Sequence, residues 1–214
     1  MLIYKAMEEK KLHILKNVGN LYLKFGIRGV TMDDVATEFG ISKKTLYQYF
    51  KDKEDLVAQV IDYYLKNPVF KLNSEDSGNS IDRYFALRRH VAKMIKHFNN
   101  NLEYELKKTY PELFKKVHKF KRERVYNDTI EILQDGINDG LFRSEIDSDV
   151  VAKLQVGRIL CTLNPENQFF TDEEVSTLEL FDKMMDYHIH AICTEKGIKY
   201  YRKQLNKTKD EENN

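Results

Sequence analysis

Lys43, Lys44, Thr45 and Gln48 fall within two helical turns, and a helix through them gathers all four on one side while Leu46 and Phe50 turn to the other. Ammonium, hydroxyl and amide groups on one face are the donors and acceptors that read base edges in a DNA groove, and the apolar pair opposite is the anchor such a helix needs. Around them, Thr31, Ser42, Tyr47, Tyr49 and Lys53 supply hydroxyls and a further ammonium near helix ends, where groups of this kind hold phosphates. Lys43, Lys44, Lys51 and Lys53 stand against Asp52 in a chain whose 35 Lys+Arg and 34 Asp+Glu nearly cancel, so positive charge is concentrated at this motif. A second reading stays open: Tyr47 and Tyr49 as core aromatics, and the lysines as a solvated face.

The elements that position these groups follow from periodicity. Leu12, Leu15, Val18, Tyr22 and Phe25 predict a first helix that Gly26 stops. Thr31 caps a short second helix with Val35, Ala36 and Phe39 inward and Gly40 at its end, and Ser42 caps a third over 43–49. Two short helices joined by Phe39-Gly40-Ile41-Ser42 form a helix-turn-helix pattern. A fourth helix from Glu54 carries Leu56, Val57, Val60, Ile61 and Tyr64.

Residues 67–80, with Pro68, Gly78 and a Ser/Asn/Asp cluster, mark the domain boundary. Beyond it the pattern predicts helices over 83–99, a short piece from Leu102, a long helix that Pro111 opens and Asp139-Gly140 breaks, one from Asp147 to about Leu163, and a last one. That last helix opens with the capping-box spelling Thr171 to Glu174 and runs through Ile192. The fold class is therefore all-α, divided into 1–66, 67–205 and a polar tail over 206–214.

Composition narrows the function. With 214 residues, 42% hydrophobic and 32% charged, the chain can bury a core, and nine Gly with three Pro are too few for a fold of many turn-linked strands. Two distant cysteines exclude a disulfide scaffold, and no apolar run approaches the roughly 20 residues of a membrane span, so a cytoplasmic protein without a membrane partner is expected. A phosphate-cradling Gly loop, a Glu-x-x-His pair and a Cys-x-x-Cys motif are all missing, so neither an enzyme nor a metal or other cofactor is expected. The alternatives are a helical-bundle enzyme or a helical adaptor whose helix-turn-helix is only structural.

The run Thr31-Met-Asp-Asp-Val-Ala-Thr-Glu-Phe-Gly-Ile-Ser-Lys-Lys-Thr-Leu-Tyr-Gln-Tyr-Phe-Lys-Asp-Lys-Glu-Asp-Leu56 resembles the signature of the TetR family of transcriptional regulators, with Gly26 at the usual distance upstream. Gly136-x-x-x-Gly140-Leu-Phe-Arg-x-Glu-Ile-Asp147 is similar to a recurrent turn of that family. The resemblance implies a three-helix DNA-binding domain followed by a helical ligand-binding and dimerisation domain. It implies that Lys43, Lys44, Thr45 and Gln48 face bases and that Thr31, Ser42, Tyr47, Tyr49 and Lys53 hold phosphates. The family often has a small residue where Lys44 stands, which points Lys44 to phosphate instead.

The implied partners are pseudopalindromic operator DNA, a second copy of the chain, and a small, mainly apolar ligand whose binding releases a repressor. Candidate pocket residues are the aromatic and polar groups within apolar stripes: Tyr84, His90, Val91, Met94, Phe98, Tyr104, Phe114 and Tyr126, with His97, His118 and Arg158 beside them. Leu154, Leu178, Phe181, Met185 and His188 are the expected dimer seam. The basic stretch 107–124 reads as a solvated helix face.

Overall fold

The computed structural model describes residues 2–68, 78–95, 101–162, 164 and 167–212, with the side chains of 2–6, 94, 101 and 209–212 left aside. The helices are α1 (Leu2–Gly29), α2 (Met32–Glu38), α3 (Lys43–Tyr49), α4 (Lys53–Lys66), α5 (Ser80–Ile95), α6 (Asn101–Thr109), α7 (Pro111–Asn138), α8 (Ser148–Gly157), α9 (Asp172–Val175), α10 (Leu178–Ile192) and α11 (Glu195–Glu212). They fold into two units. The first takes the described residues up to 68 together with 101–120; the second takes 78–95 and 121–212.

In the first unit the stripes of α1 to α4 close on one core, with Ile14, Val18, Val35, Leu46, Phe50, Leu56 and Val57 nearly inaccessible to water. The boundary expected at 66/67 misplaces α6. Leu106 is buried in this core, and Leu102, Tyr110, Leu113, Phe114 and Val117 pack against it. The sequence hides this because a stripe states that a face is buried and not against which partner.

At Gly26 the chain of α1 turns sharply, with φ 76° and ψ 162°, a region essentially restricted to glycine. The amides of Ile27 and Arg28 leave the helical ladder there and donate to one oxygen of Glu105 in α6, at 2.7 and 3.1 Å. A carboxylate beside free helix-end N–H groups is the favourable pairing of charges.

The second unit buries Ile81, Tyr84 and Phe85 of α5 against Ile132 and Leu133 of α7, Leu141 and Phe142 of the following turn, and Met185, Ile189 and Ile192 of α10. Phe142 and Cys193 form an antiparallel bridge, with the Arg143 amide donating to the Ile192 carbonyl at 2.9 Å and the Thr194 amide to that of Leu141 at 2.9 Å. Asp147 caps α8 by accepting from the Val150 amide at 3.1 Å.

Three expectations are corrected. α8 gives way at Arg158 to a π-helical turn, Arg158–Thr162. The Thr171 capping box opens only the single turn α9, and Thr177 caps α10 separately by accepting from the Leu180 amide. The segment read as ending in a polar tail is helical to Glu212: Tyr201 is buried against Phe85, and the Tyr200 hydroxyl donates to Asp82 at 2.8 Å. The charged face of α11 masks its apolar one in a sequence reading.

Candidate nucleic-acid interface

The helix-turn-helix is held by local capping. Thr31 and Asp34 form a capping box, in which the Thr31 hydroxyl accepts from the Asp34 amide at 3.1 Å while the Asp34 carboxylate accepts from the Thr31 amide at 2.8 Å and from its hydroxyl at 2.7 Å. Those bonds from Thr31 hold the Asp34 carboxyl below the usual range. Gly40, with φ 58°, supplies the left-handed step of the turn, and the Ile41 amide returns to the Ala36 carbonyl at 3.0 Å. Ser42 then caps α3 by accepting from the Thr45 amide at 3.0 Å.

This capping revises the expected contacts. The Thr31 hydroxyl is engaged by Asp34 and that of Ser42 by Thr45, so both serve helix ends before any phosphate. The Lys53 ammonium is half-buried and donates to the Arg28 carbonyl at 3.3 Å, and burial pulls its pKa down. Tyr49 is half-buried and packs against the core. What α3 presents outward is Lys43, Lys44, Tyr47 and Gln48, with Thr45 half-buried, while Leu46 and Phe50 are buried as expected. Lys43 pairs with Asp33 of α2 at 2.7 Å, which raises its pKa.

In the second unit Tyr84 lies in the core with its hydroxyl 3.1 Å from Nε2 of His188. His90 and Val91 are half-buried, and burial together with Lys93 and Arg124 lowers the His90 pKa. Tyr126 donates to Asp149 at 2.8 Å and lines an open groove of about 310 Å³ with Arg122, Asn127 and Lys153. Two expected pocket residues belong elsewhere: Tyr104 is exposed in the first unit, and Phe114 packs on the first core, its ring 4.2 Å from that of His118. Phe98 and His97 lie outside the described residues, as does the Met94 side chain.

The expected seam also divides. Leu154 is 68% exposed, whereas Leu178 and Phe181 are half-buried. Met185 and His188 are buried within the unit, which corrects their assignment to a seam: they lie on the face of α10 turned toward α5. Among the described residues of this unit the exposed large apolar groups are instead Val150 and Leu154 of α8, Ile159 of the π turn, Phe169, and Tyr187 of α10. Glu105, which holds the break in α1, is a positioning residue that the sequence does not disclose, since its contacts span 77 and 78 residues and leave no local signal.

Comparisons with known proteins agree with this geometry. Residues 19–60 match the family described as bacterial regulatory proteins, tetR family. An uncharacterized HTH-type transcriptional regulator of Bacillus subtilis, YerO, is 29% identical over 99 residues, 46% of this chain and 34% of its own, so the match spans about a third of that relative. The biofilm operon icaADBC HTH-type negative transcriptional regulator IcaR of Staphylococcus aureus is 26% identical over 56% of this chain and 74% of its own. Among solved structures, a TetR transcriptional regulator from Chloroflexus aurantiacus shares the fold with a TM-score of 0.63 at 17% identity, over 89% of this chain and all of that one. The reduced form of NemR from Escherichia coli does so at 0.63 and 15%, covering 87% and 98%.

Proposed function

We propose, from the match of residues 19–60 to the tetR family, that the chain is a transcriptional repressor of that family that grips a pseudopalindromic operator as a homodimer and lets go when a small ligand occupies its second unit. The observation that carries the reading is the outer face of α3. Lys43, Lys44, Tyr47 and Gln48 stand out from a helix anchored by two inaccessible residues, Leu46 and Phe50. A rigid helix whose outward groups are all hydrogen-bonding is suited to a major groove, with Gln48 and Lys43 toward base edges and Lys44 and Tyr47 toward phosphates. The word negative in the name of the Staphylococcus aureus relative supports repression.

One reading helix recognises a half-site, and a second copy supplies the other half of a palindrome. Val150, Leu154, Ile159 and Tyr187, exposed on α8, the π turn and α10, support pairing through these elements, because covering exposed apolar groups with a second copy removes them from water. The test selects bound fragments from random duplex DNA and measures stoichiometry. Enrichment of an inverted repeat bound by two chains is the expected result, and binding with no sequence preference, or by one chain, refutes it.

A further inference from the structure

The second unit holds an arginine that no described carboxylate neutralises. Arg158 is half-buried at the first residue of the π turn, where it donates to the Met184 carbonyl at 2.7 Å and points a second nitrogen at the Met185 sulfur, 3.8 Å away. A neutral carbonyl and a weak sulfur acceptor are poor company for five N–H donors, and no carboxylate among the described residues pairs with this guanidinium. Asp182, on the same helix as the two methionines, is already held by Arg88 through bonds of 2.7 and 2.9 Å.

One further buried group nearby lacks a partner. Gln155, one turn before Arg158 on α8 and 5% exposed, has its side-chain oxygen buried without a partner; turning the amide over leaves its nitrogen there instead. The Tyr84–His188 pair adds hydrogen-bonding capacity but no charge, because burial and Arg158 push the His188 pKa down to about 3. Arg158 also sits where the α-helical ladder of α8 changes to a π turn, a local irregularity that recurs at functional sites.

Resting on the reading of the second unit as the ligand-receiving one, we propose that the ligand is an amphipathic monoanion whose carboxylate pairs with Arg158 while its apolar body lies against the methionines of α10. Guanidinium and carboxylate match in planar, two-bonded geometry, and one unneutralised charge with no charged histidine beside it suits one negative charge rather than a dianion. Met184 and Met185 are unbranched and adaptable, so they can give way to an apolar body and release Arg158 from its present weak acceptors.

The test uses the full chain with a series of monocarboxylates from benzoate to decanoate, and decanol and decanamide as uncharged counterparts. Calorimetric titration should show saturable binding of at least one carboxylate, at least tenfold weaker binding of its uncharged counterpart, and at least tenfold weaker carboxylate binding to Arg158→Met. Arg158→Lys, which keeps the charge but not the planar fork, should fall between. In the absence of any carboxylate, Arg158→Met should melt at or above the temperature of the unmodified protein, since it removes a desolvated and unneutralised charge. A lower melting temperature assigns Arg158 to the fold and overturns the proposal, as does equal binding of charged and uncharged probes or no saturable binding by any carboxylate. Carboxylate binding that leaves the affinity for selected DNA unchanged keeps this site and refutes ligand release instead.

Discussion

Replacing Gly26 by alanine tests how the reading head is set on α1. At φ 76° and ψ 162° an L side chain is strained by about 1–3 kcal/mol. A Cβ there would also stand 3.0 Å from both carboxylate oxygens of Glu105, which must shift. Glu105 accepts from two backbone amides, and charge-assisted bonds of this kind contribute roughly 1.5–3 kcal/mol when protected from water, less here because the Arg28 bond is exposed. We therefore expect Gly26→Ala to destabilise by about 2–5 kcal/mol and Glu105→Ala by about 1–3 kcal/mol. In the Glu105→Ala background the added methyl has no carboxylate to displace, so Gly26→Ala should cost less there, about 1–3 kcal/mol, leaving the strain alone. Urea denaturation at one fixed protein concentration, followed by circular dichroism, supplies the three differences, with the slope checked for constancy. Equal effects of Gly26→Ala in both backgrounds, or a change within about 0.5 kcal/mol of the unmodified protein, refute the coupling.

Gln48→Ala should lose roughly 1–3 kcal/mol on the selected site and little on unrelated duplex, whereas Tyr47→Phe should weaken both alike, read by fluorescence anisotropy at one salt concentration. Leu154→Glu, which places a charge at a strongly exposed apolar position of α8, should sediment as a folded monomer and lose operator binding; an unchanged dimer moves the seam elsewhere. His188 stays neutral in the fold down to about pH 3 yet charges near 6.5 when unfolded, so the unfolded chain binds the extra proton and stability falls as pH drops through that interval. Between pH 7 and 5 this amounts to about 2 kcal/mol, and His188→Gln should flatten the denaturation midpoint over that range.

The helix-turn-helix was legible in sequence because its determinants are local: Thr31 and Asp34 cap each other three residues apart, Gly40 makes the turn, and Leu46 and Phe50 face one way by helical period alone. Pro111 at the start of α7 and Asp147 at the start of α8 were readable for the same reason. Other facts depend on partners distant in the chain. The apolar stripe of α6 states only that one side is buried, and Leu106 meeting the first core decides which unit receives it. Met185 and His188 lie on a stripe that suits a dimer seam or an internal core equally well, and the contact with Tyr84, 104 residues from His188, chooses the core. That Thr31 and Ser42 already use their hydroxyls, that Glu105 holds the break in α1, and that no carboxylate among the described residues pairs with Arg158 are matters of distance between side chains. Residue type and spacing set which face is apolar and where a helix starts; only packing selects the partner of each face and leaves a charge with or without its counter-ion.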